Sequence, residues 1–159
     1  MYMAFSPAHT IFLPDEAATA ALGAALAPAL AAPLVIYLQG GLGAGKTTFT
    51  RGLLRGAGYT GTVKSPTYVL VESYPLDKFT LHHFDLYRFA SPEEWEDAGL
   101  DELFGTDSVC LIEWPQQGGA LVPAADITVN IEHQETGRLC TLTAHTTAGR
   151  QSLETWKKN

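Results

Sequence analysis

A glycine-rich segment, LQGGLGAGKTTF (38–49), carries the strongest chemical signal in this 159-residue sequence. Gly40 is followed by four residues and then by Gly45, Lys46 and Thr47, which is the spacing of a phosphate-binding loop (P-loop). Glycines let backbone N–H groups converge on an anion, the lysine adds a positive charge, and the threonine hydroxyl suits Mg²⁺. The alternative is a glycine-rich turn without special function. We predict a triphosphate site formed by Gly40, Gly41, Leu42, Gly43, Ala44, Gly45, Lys46, Thr47 and Thr48.

Hydrolysis of a bound triphosphate also needs carboxylates for the metal and for water. Glu113 follows the apolar run VCLI, so it lies at the carboxyl end of a buried strand, as in a Walker B segment. Asp85 follows LHHF in a second strand-like run, on the same face as His83 by alternation. The sequence therefore predicts that Lys46, Asp85 and Glu113 are catalytic, with Thr47, Asp85 and Glu113 around the metal. A solvated glutamate and a structural His–Asp pair are the alternatives.

Three further features are ambiguous. The segment SPTY (65–68) resembles a switch that senses the terminal phosphate, but a type I turn fits it equally. Arg88 can neutralise transition-state charge or form a surface salt bridge. The run 93–107 holds seven carboxylates and no basic residue, which is typical of a solvated helix face and also suits docking to a basic partner.

The elements that must position these residues follow from hydrophobic periodicity. The segment 91–104 begins with a capping box of Ser91 and Glu94, and the pair 127–133 and 138–144 forms a hairpin around Gly137. Helices are predicted at 15–32, from the end of the glycine-rich loop to Gly56 and Gly58, and at 91–104. Strands are predicted at 34–38, 68–74, 79–89, 108–112, 127–133 and 138–144. Residues 146–159 are predicted to form a helical or frayed tail. We therefore predict one α/β P-loop NTPase domain over 1–159, with a mixed parallel and antiparallel sheet flanked by helices.

Composition restricts the binding partners and the cellular compartment that we expect for the protein. A net charge of −7 disfavours unaided binding of nucleic acid. Residues 17–38 carry no charge, but alanines dominate the stretch, prolines interrupt it and no Lys or Arg precedes it, so we expect neither a membrane span nor a signal peptide. Cys110 and Cys140 lie far apart in apolar runs, which predicts buried thiols and a cytoplasmic protein.

Four motifs together resemble one family. GGLGAGKTT, SPTY, HFDLYR and IEWP occur in the order and spacing of the bacterial TsaE (YjeE) family, and the similarity runs from about residue 10 to 144. The resemblance implies a single P-loop domain that hydrolyses ATP slowly alone, with Mg²⁺, and works with the TsaB–TsaD heterodimer. TsaD transfers threonylcarbamoyl to an adenosine beside the tRNA anticodon, and ATP turnover resets that machine. The tRNA is then contacted only through the partners.

The resemblance also assigns residues. It implies that Lys46 binds phosphate, that Thr47 and Asp85 lie at Mg²⁺, and that Glu113 serves the metal or water. It places Trp114 close to the nucleotide and Thr67 in the switch-like loop. One position departs from the family: the second loop residue, commonly acidic or polar, is Gly41 here. Because that position offers mainly backbone, we expect phosphate binding to survive with a less rigid loop.

Two other functions compete with a partner-activated ATPase. Small-molecule kinases on this scaffold usually carry an arginine-rich lid, whereas the five arginines here are scattered along the chain, so a kinase is disfavoured. A nucleotide-dependent binding module without useful hydrolysis is compatible with the sequence, because activating groups can arrive from a partner.

Overall fold

The computed structural model describes residues 8–159, so the first seven residues of the predicted domain lie outside the described part. The described chain alternates strands and helices in the manner of an α/β protein. The strands are β1 Ala8–Leu13, β2 Leu34–Gln39, β3 Val71–Pro75, β4 Thr80–Asp85, β5 Ser108–Glu113, β6 Ile127–His133 and β7 Arg138–Ala144. The helices are α1 Glu16–Leu26, α2 Lys46–Gly56, α3 Glu93–Asp97 and α4 Thr147–Lys158, with 3-10 turns at Ala27–Ala29, Leu100–Leu103 and Pro115–Leu121.

All of these strands join one mixed sheet in the order β1-β7-β6-β2-β5-β4-β3. Strands β6, β2, β5 and β4 run parallel, while β3 and β7 are antiparallel to their hairpin partners β4 and β6. The predicted α/β class with a mixed sheet is confirmed. The parallel strands β2, β4 and β5 end at the same edge, where ligands bind in sheets of this kind.

Apolar side chains cover both faces of the sheet. Strand β5 is buried at all six positions because it lies between β2 and β4 and has packing on either side. One core cluster, which includes Leu38, Phe49 and Leu111, packs α1 and α2 on one face. A smaller cluster around Phe84 and Trp95 packs α3 on the other face.

Helices α1 and α2 approach each other at glycines. A Cβ added at Gly52 would lie 2.1 Å from the carbonyl oxygen of Ala20, and one at Gly56 would lie 2.5 Å from that of Ala24. On α1, a Cβ at Gly23 would lie 2.3 Å from the carbonyl oxygen of Phe49. The absence of side chains at these positions therefore sets the position of α2, whose first residue is Lys46.

The helix predicted over residues 15–32 is shorter in the structure. Helix α1 begins after Asp15, whose Oδ1 accepts a hydrogen bond from the N–H of Ala18 at 2.8 Å. It ends at Leu26 and not at residue 32, because Pro28 belongs to the 3-10 turn that follows. Across residues 8–159, no helix is long and apolar enough to cross a bilayer.

Three other boundaries differ from prediction. The predicted helix 91–104 is interrupted at Gly99, which adopts φ 66°, and the chain continues as a 3-10 turn. Half of the predicted capping box is present, because the Glu94 carboxylate accepts a hydrogen bond from the N–H of Ser91 at 3.0 Å. The predicted strand 68–74 begins only at Val71, since Tyr68 and Val69 lie in an exposed turn. The predicted strand 79–89 ends at Asp85. Strand β1 was not predicted. Of the two forms predicted for the tail, the helical one is correct.

Both cysteines are buried free thiols, as predicted. Burial raises the pKa of Cys110 to about 12 and that of Cys140 to about 12. The thiolate is the reactive form, so neither residue is a nucleophile at neutral pH.

We expect Gly52→Ala to destabilise the protein by about 2 kcal/mol, although alanine normally favours a helix interior, because its methyl group would overlap the backbone of α1. The free energy of unfolding from urea titration checks this expectation. Gly105→Ala is the control, since a Cβ there would meet only the Ser108 Oγ at 3.8 Å. Equal stability of the two variants would contradict the close helix contact.

Candidate functional site

The glycine-rich loop turns sharply between β2 and α2. Gly40, Gly43 and Gly45 adopt φ values of 152°, 74° and 110°, which side-chain-bearing residues rarely reach. Gly45 is the residue before the first turn of α2, and its carbonyl accepts the N–H of Phe49 at 2.9 Å. The loop therefore leads directly into a helix N-terminus, where backbone N–H groups and the helix dipole favour anions.

The β6–β7 hairpin holds the outer side of this loop. Arg138 donates from Nη2 to the carbonyl of Gly43 at 3.1 Å and from Nε to that of Ala44 at 3.0 Å. His133 Nε2 lies 3.3 Å from the carbonyl of Leu42. Because the N–H of a trans peptide points opposite its carbonyl, the N–H groups of Gly43 and Gly45 face away from the hairpin. These two amides are thus available to an anion.

Lys46 is buried at the first position of α2, with only 8% of its surface exposed. Its Nζ lies 3.4 Å from Glu113 Oε1 and 4.5 Å from the centre of the Trp114 ring. A buried ammonium group requires opposite charge nearby. Glu113 supplies that charge in this structure, and the face of the indole adds cation–π attraction.

Glu113 lies at the carboxyl end of β5, as predicted, and is 7% exposed. Its Oε2 lies 2.6 Å from His83 Nε2. Burial alone raises the pKa of this carboxyl, but hydrogen bonding and electrostatic attraction from His83, together with Lys46, outweigh burial and hold the pKa below its ordinary value. Glu113 is therefore a carboxylate at neutral pH.

Asp85 ends β4 and is paired in register with Glu113. Its Oδ1 accepts the backbone N–H of Tyr87 at 2.9 Å, and its Oδ2 accepts the Thr67 hydroxyl at 3.4 Å. Thr67 also lies within hydrogen-bond distance of Ser65, with 2.6 Å between the two hydroxyl oxygens. The structural His–Asp pair, which was the alternative interpretation of Asp85, is not formed: Asp85 contacts the 65–67 segment, and His83 contacts Glu113.

The SPTY segment forms a turn beside Asp85. The N–H of Leu70 donates to the carbonyl of Pro66 at 2.9 Å, which closes a five-residue turn, wider than a type I turn. Tyr68 is 80% exposed, and the Arg88 guanidinium lies 4.4 Å from its ring centre. Arg88 therefore stacks on an aromatic ring where a surface salt bridge was the alternative.

These residues surround one cleft of about 390 Å³. Its lining combines loop backbone, the start of α2, the two strand-end acids and the 65–67 turn. The lining residues are Glu16, Leu42, Gly43, Gly45, Lys46, Thr47, Thr48, Ser65, Thr67, Asp85, Tyr87, Arg88, Glu113 and Trp114. Of the remaining predicted loop residues, Gly40 and Ala44 line adjoining cavities, and Gly41 has open space where a side chain would stand.

Three features of the site's geometry were not predicted: the contact of Tyr87 with Trp114, the backbone conformation of Trp114 and the contact of His83 with Glu113. Tyr87 lies against Trp114, with 5.0 Å between the ring centres, and Trp114 adopts a left-handed φ of 57° that turns its ring over Lys46. No local pattern indicates that conformation. The contact of His83 with Glu113 had a visible signal, namely a histidine two residues before Asp85, but the partner strand was not evident from spacing alone.

The cleft suits Mg²⁺ bound together with a phosphate ligand. Residues 8–159 contain no cluster of three or more His, Cys, Asp or Glu side chains that could hold a metal by themselves. Mg²⁺ in phosphate sites needs only one or two protein oxygens, because phosphate and water complete its octahedron. Thr47 and Asp85, which both line the cleft, offer such oxygens.

Comparison with known proteins gives the family. Residues 13–140 match the family model described as "Threonylcarbamoyl adenosine biosynthesis protein TsaE". The chain belongs to the TsaE family. This assignment connects it with biosynthesis of tRNA threonylcarbamoyladenosine and confirms the resemblance seen in the four motifs.

Individual TsaE proteins are similar over most of their length. The protein from Haemophilus influenzae is 46% identical over 149 residues, which cover 91% of this chain and 94% of that protein. The protein from Rickettsia felis is 37% identical over 134 residues, covering 83% and 78%. The crystal structure of Bacillus subtilis YdiB superposes with a TM-score of 0.82 at 29% identity and covers 98% of both chains.

We expect Gly45→Ala to weaken binding of ADP at least tenfold, because alanine at φ 110° costs roughly 1–3 kcal/mol and the loop must shift to relieve it. Gly41→Ala is the matched control, since Gly41 has no positive φ and nothing lies within 4 Å of the position that a Cβ would take there. Isothermal titration calorimetry compares the two dissociation constants. Equal affinities would contradict a binding role for this loop geometry.

The lowered pKa of Glu113 predicts a pH-dependent contribution to stability. A carboxyl whose folded pKa lies below its ordinary 4.5 stabilises the fold fully above that pH and progressively less as the pH falls through the folded value. Glu113→Gln should therefore reduce the free energy of unfolding by about 2 kcal/mol at pH 7, with the deficit narrowing below pH 4.5.

Urea titrations at several pH values measure this deficit. The control is Glu135→Gln in the exposed β6–β7 turn, which should change stability little at any pH. A deficit for Glu113→Gln that does not vary with pH would contradict the predicted role of its charge.

Proposed function

We propose that the protein is a Mg²⁺-dependent ATPase that drives turnover of the TsaB–TsaD threonylcarbamoyl transferase in tRNA modification. The observation that carries this proposal is the convergence of Lys46, Asp85 and Glu113 on one cleft at the N-terminus of α2. Membership of the TsaE family supports the pathway. We expect the protein to act in the cytoplasm, where tRNA is modified.

The loop and the start of α2 bind the phosphates in this proposal. The free N–H groups of Gly43 and Gly45 and the helix N-terminus receive phosphate oxygens, and Lys46 contributes its charge to the β and γ phosphates. The Thr47 hydroxyl and the Asp85 carboxylate hold Mg²⁺, which neutralises charge on the phosphates when bound. Trp114 packs beside the bound nucleotide.

Glu113 orients the attacking water. It is ionised at neutral pH, so Oε1 can accept a hydrogen bond from water and aim its oxygen at the terminal phosphorus. Oε1 contacts Lys46 in this structure, and a triphosphate competes for that ammonium group. Asp85 is hydrogen-bonded to the Tyr87 amide and to Thr67, whereas Glu113 contacts His83 and Lys46. The two acids therefore have different partners, which suits one to bind the metal and the other to orient water.

Nothing in the site favours a kinase. Arg88 lies in the cleft, while Arg138 is engaged by the loop carbonyls, and Arg51, Arg55 and Arg150 do not line the cleft. Within residues 8–159 no insertion carries several arginines, so this part of the chain has no arginine-rich lid. A binding module without hydrolysis would instead bind ATP and release no phosphate.

The partner supplies what this chain lacks. A net charge of −7 and the acidic segment 93–107 suit contact with a basic protein surface better than contact with tRNA. TsaB–TsaD therefore holds the tRNA in this proposal. The turn 65–68, which contacts Asp85 through Thr67, is placed to respond to the terminal phosphate.

We expect the wild type to release phosphate from ATP slowly alone and faster with TsaB–TsaD. Lys46→Ala should lower both rates at least a hundredfold, because the negative charge on the terminal phosphoryl group would no longer be stabilised by the lysine ammonium group. Phosphate release with purified proteins measures both. Lys78→Ala, in the exposed β3–β4 turn, is the control and should match the wild type.

Three outcomes would contradict parts of the proposal. A folded Lys46→Ala protein with wild-type turnover would refute the ATPase assignment. Nucleotide binding without phosphate release, even with TsaB–TsaD, would identify a binding module. If TsaB–TsaD neither binds the protein nor changes its rate, the partner assignment is wrong.

A further inference from the structure

His83 is a deeply buried titratable side chain whose neighbours show a specific arrangement. It is 3% exposed, and its Nε2 lies 2.6 Å from Glu113 Oε2. The other ring nitrogen, Nδ1, is buried and has no hydrogen-bond partner within residues 8–159. One nitrogen is therefore committed to Glu113, and the other makes no polar contact there.

This arrangement fixes where the ring proton lies. A bare Nε2 lone pair facing a carboxylate oxygen at 2.6 Å would be repulsive, so Nε2 must carry the proton and donate it. In the neutral ring Nδ1 is then only an acceptor, and a buried N–H without a partner at Nδ1 would cost free energy. The favoured neutral tautomer is thus the one protonated at Nε2.

The contact divides the two oxygens of Glu113 between two tasks. Oε2 is held by His83, and Oε1 faces Lys46 in the cleft. Residues 83 and 113 lie on the neighbouring parallel strands β4 and β5, and each of these strands is paired on both sides. The carboxylate is therefore oriented by a rigid element, which gives better precision than a loop would.

Lys46 cannot serve as the permanent partner of Glu113. Its ammonium is the group that phosphates attract, so a carboxylate oriented by Lys46 alone would lose its partner when a nucleotide binds. His83 is buried beside Glu113 and does not line the cleft, so a ligand there does not compete for it. The histidine contact can persist through binding and turnover.

We propose that His83 is a positioning residue, which donates from Nε2 to Glu113 Oε2 and thereby presents Oε1 to the attacking water. This inference rests on the proposed ATPase function. Substitution of His83 should therefore lower kcat and leave nucleotide affinity nearly unchanged, and it should act only while Glu113 is present.

The test compares two substitutions of His83 by phosphate release and by ADP titration. His83→Leu removes the donor and should lower kcat about a hundredfold, a typical cost of a misplaced catalytic group, with the dissociation constant for ADP within about threefold. His83→Gln places an amide N–H near the Nε2 position and should recover most of the rate. His82→Leu is the matched control, because His82 precedes it on β4 and contacts Ser73 instead.

A double-mutant cycle separates positioning from a structural effect. In a Glu113→Ala background, His83→Leu should change kcat less than about twofold, because residues that act as a unit are not additive. An equal loss in both backgrounds, or a His83→Leu enzyme as fast as the wild type, would overturn the inference while leaving the ATPase assignment intact. A wild type without phosphate release would instead refute the proposed function.

One readout does not depend on turnover. Long-range ¹H–¹⁵N correlation spectra of the wild type report which His83 nitrogen carries hydrogen, and a proton on Nε2 is expected. This measurement also serves if His83→Leu fails to fold. A neutral His83 protonated at Nδ1 alone would overturn the inference.

Discussion

The buried ammonium group of Lys46 is the constraint on which this site depends. With 8% of its surface exposed, Lys46 cannot rely on water for solvation and must have negative charge close by. Glu113 provides it at 3.4 Å, and Trp114 adds an electron-rich face. Such a pair is costly to bury in isolation, which makes the ammonium receptive to a stronger anion. A triphosphate, with several charges and the loop amides beside it, is an anion of that kind.

The fold meets this constraint by bringing distant segments to one sheet edge. Strand β5 ends with Glu113 and the neighbouring β4 ends with Asp85, while the loop after β2 begins α2 with Lys46. The position of α2 is set by backbone contact with α1, where glycines replace side chains. The β6–β7 hairpin then fixes the loop through Arg138. Each charged group is thus held by an element whose own packing is apolar or backbone-mediated.

Much of this arrangement could be predicted from the sequence because its signals are local. The loop spacing, the apolar run before Glu113 and the hairpin around Gly137 each depend on residues close in sequence. Strand β1 was missed because its half-exposed pattern acquires meaning only beside β7, more than a hundred residues away. The left-handed Trp114 and the His83–Glu113 contact likewise arise from tertiary packing. The roles of the individual site residues stay predictions.

In the proposed mechanism Lys46 exchanges Glu113 for phosphate, while His83 stays hydrogen-bonded to Glu113. A crystal structure with Mg²⁺ and a non-hydrolysable ATP analogue would show both contacts. We predict Nζ of Lys46 within hydrogen-bond distance of the β and γ phosphate oxygens, and His83 Nε2 still bonded to Glu113 Oε2. Phosphates bound outside the loop, or a Lys46 that stays on Glu113 beside a bound analogue, would contradict it.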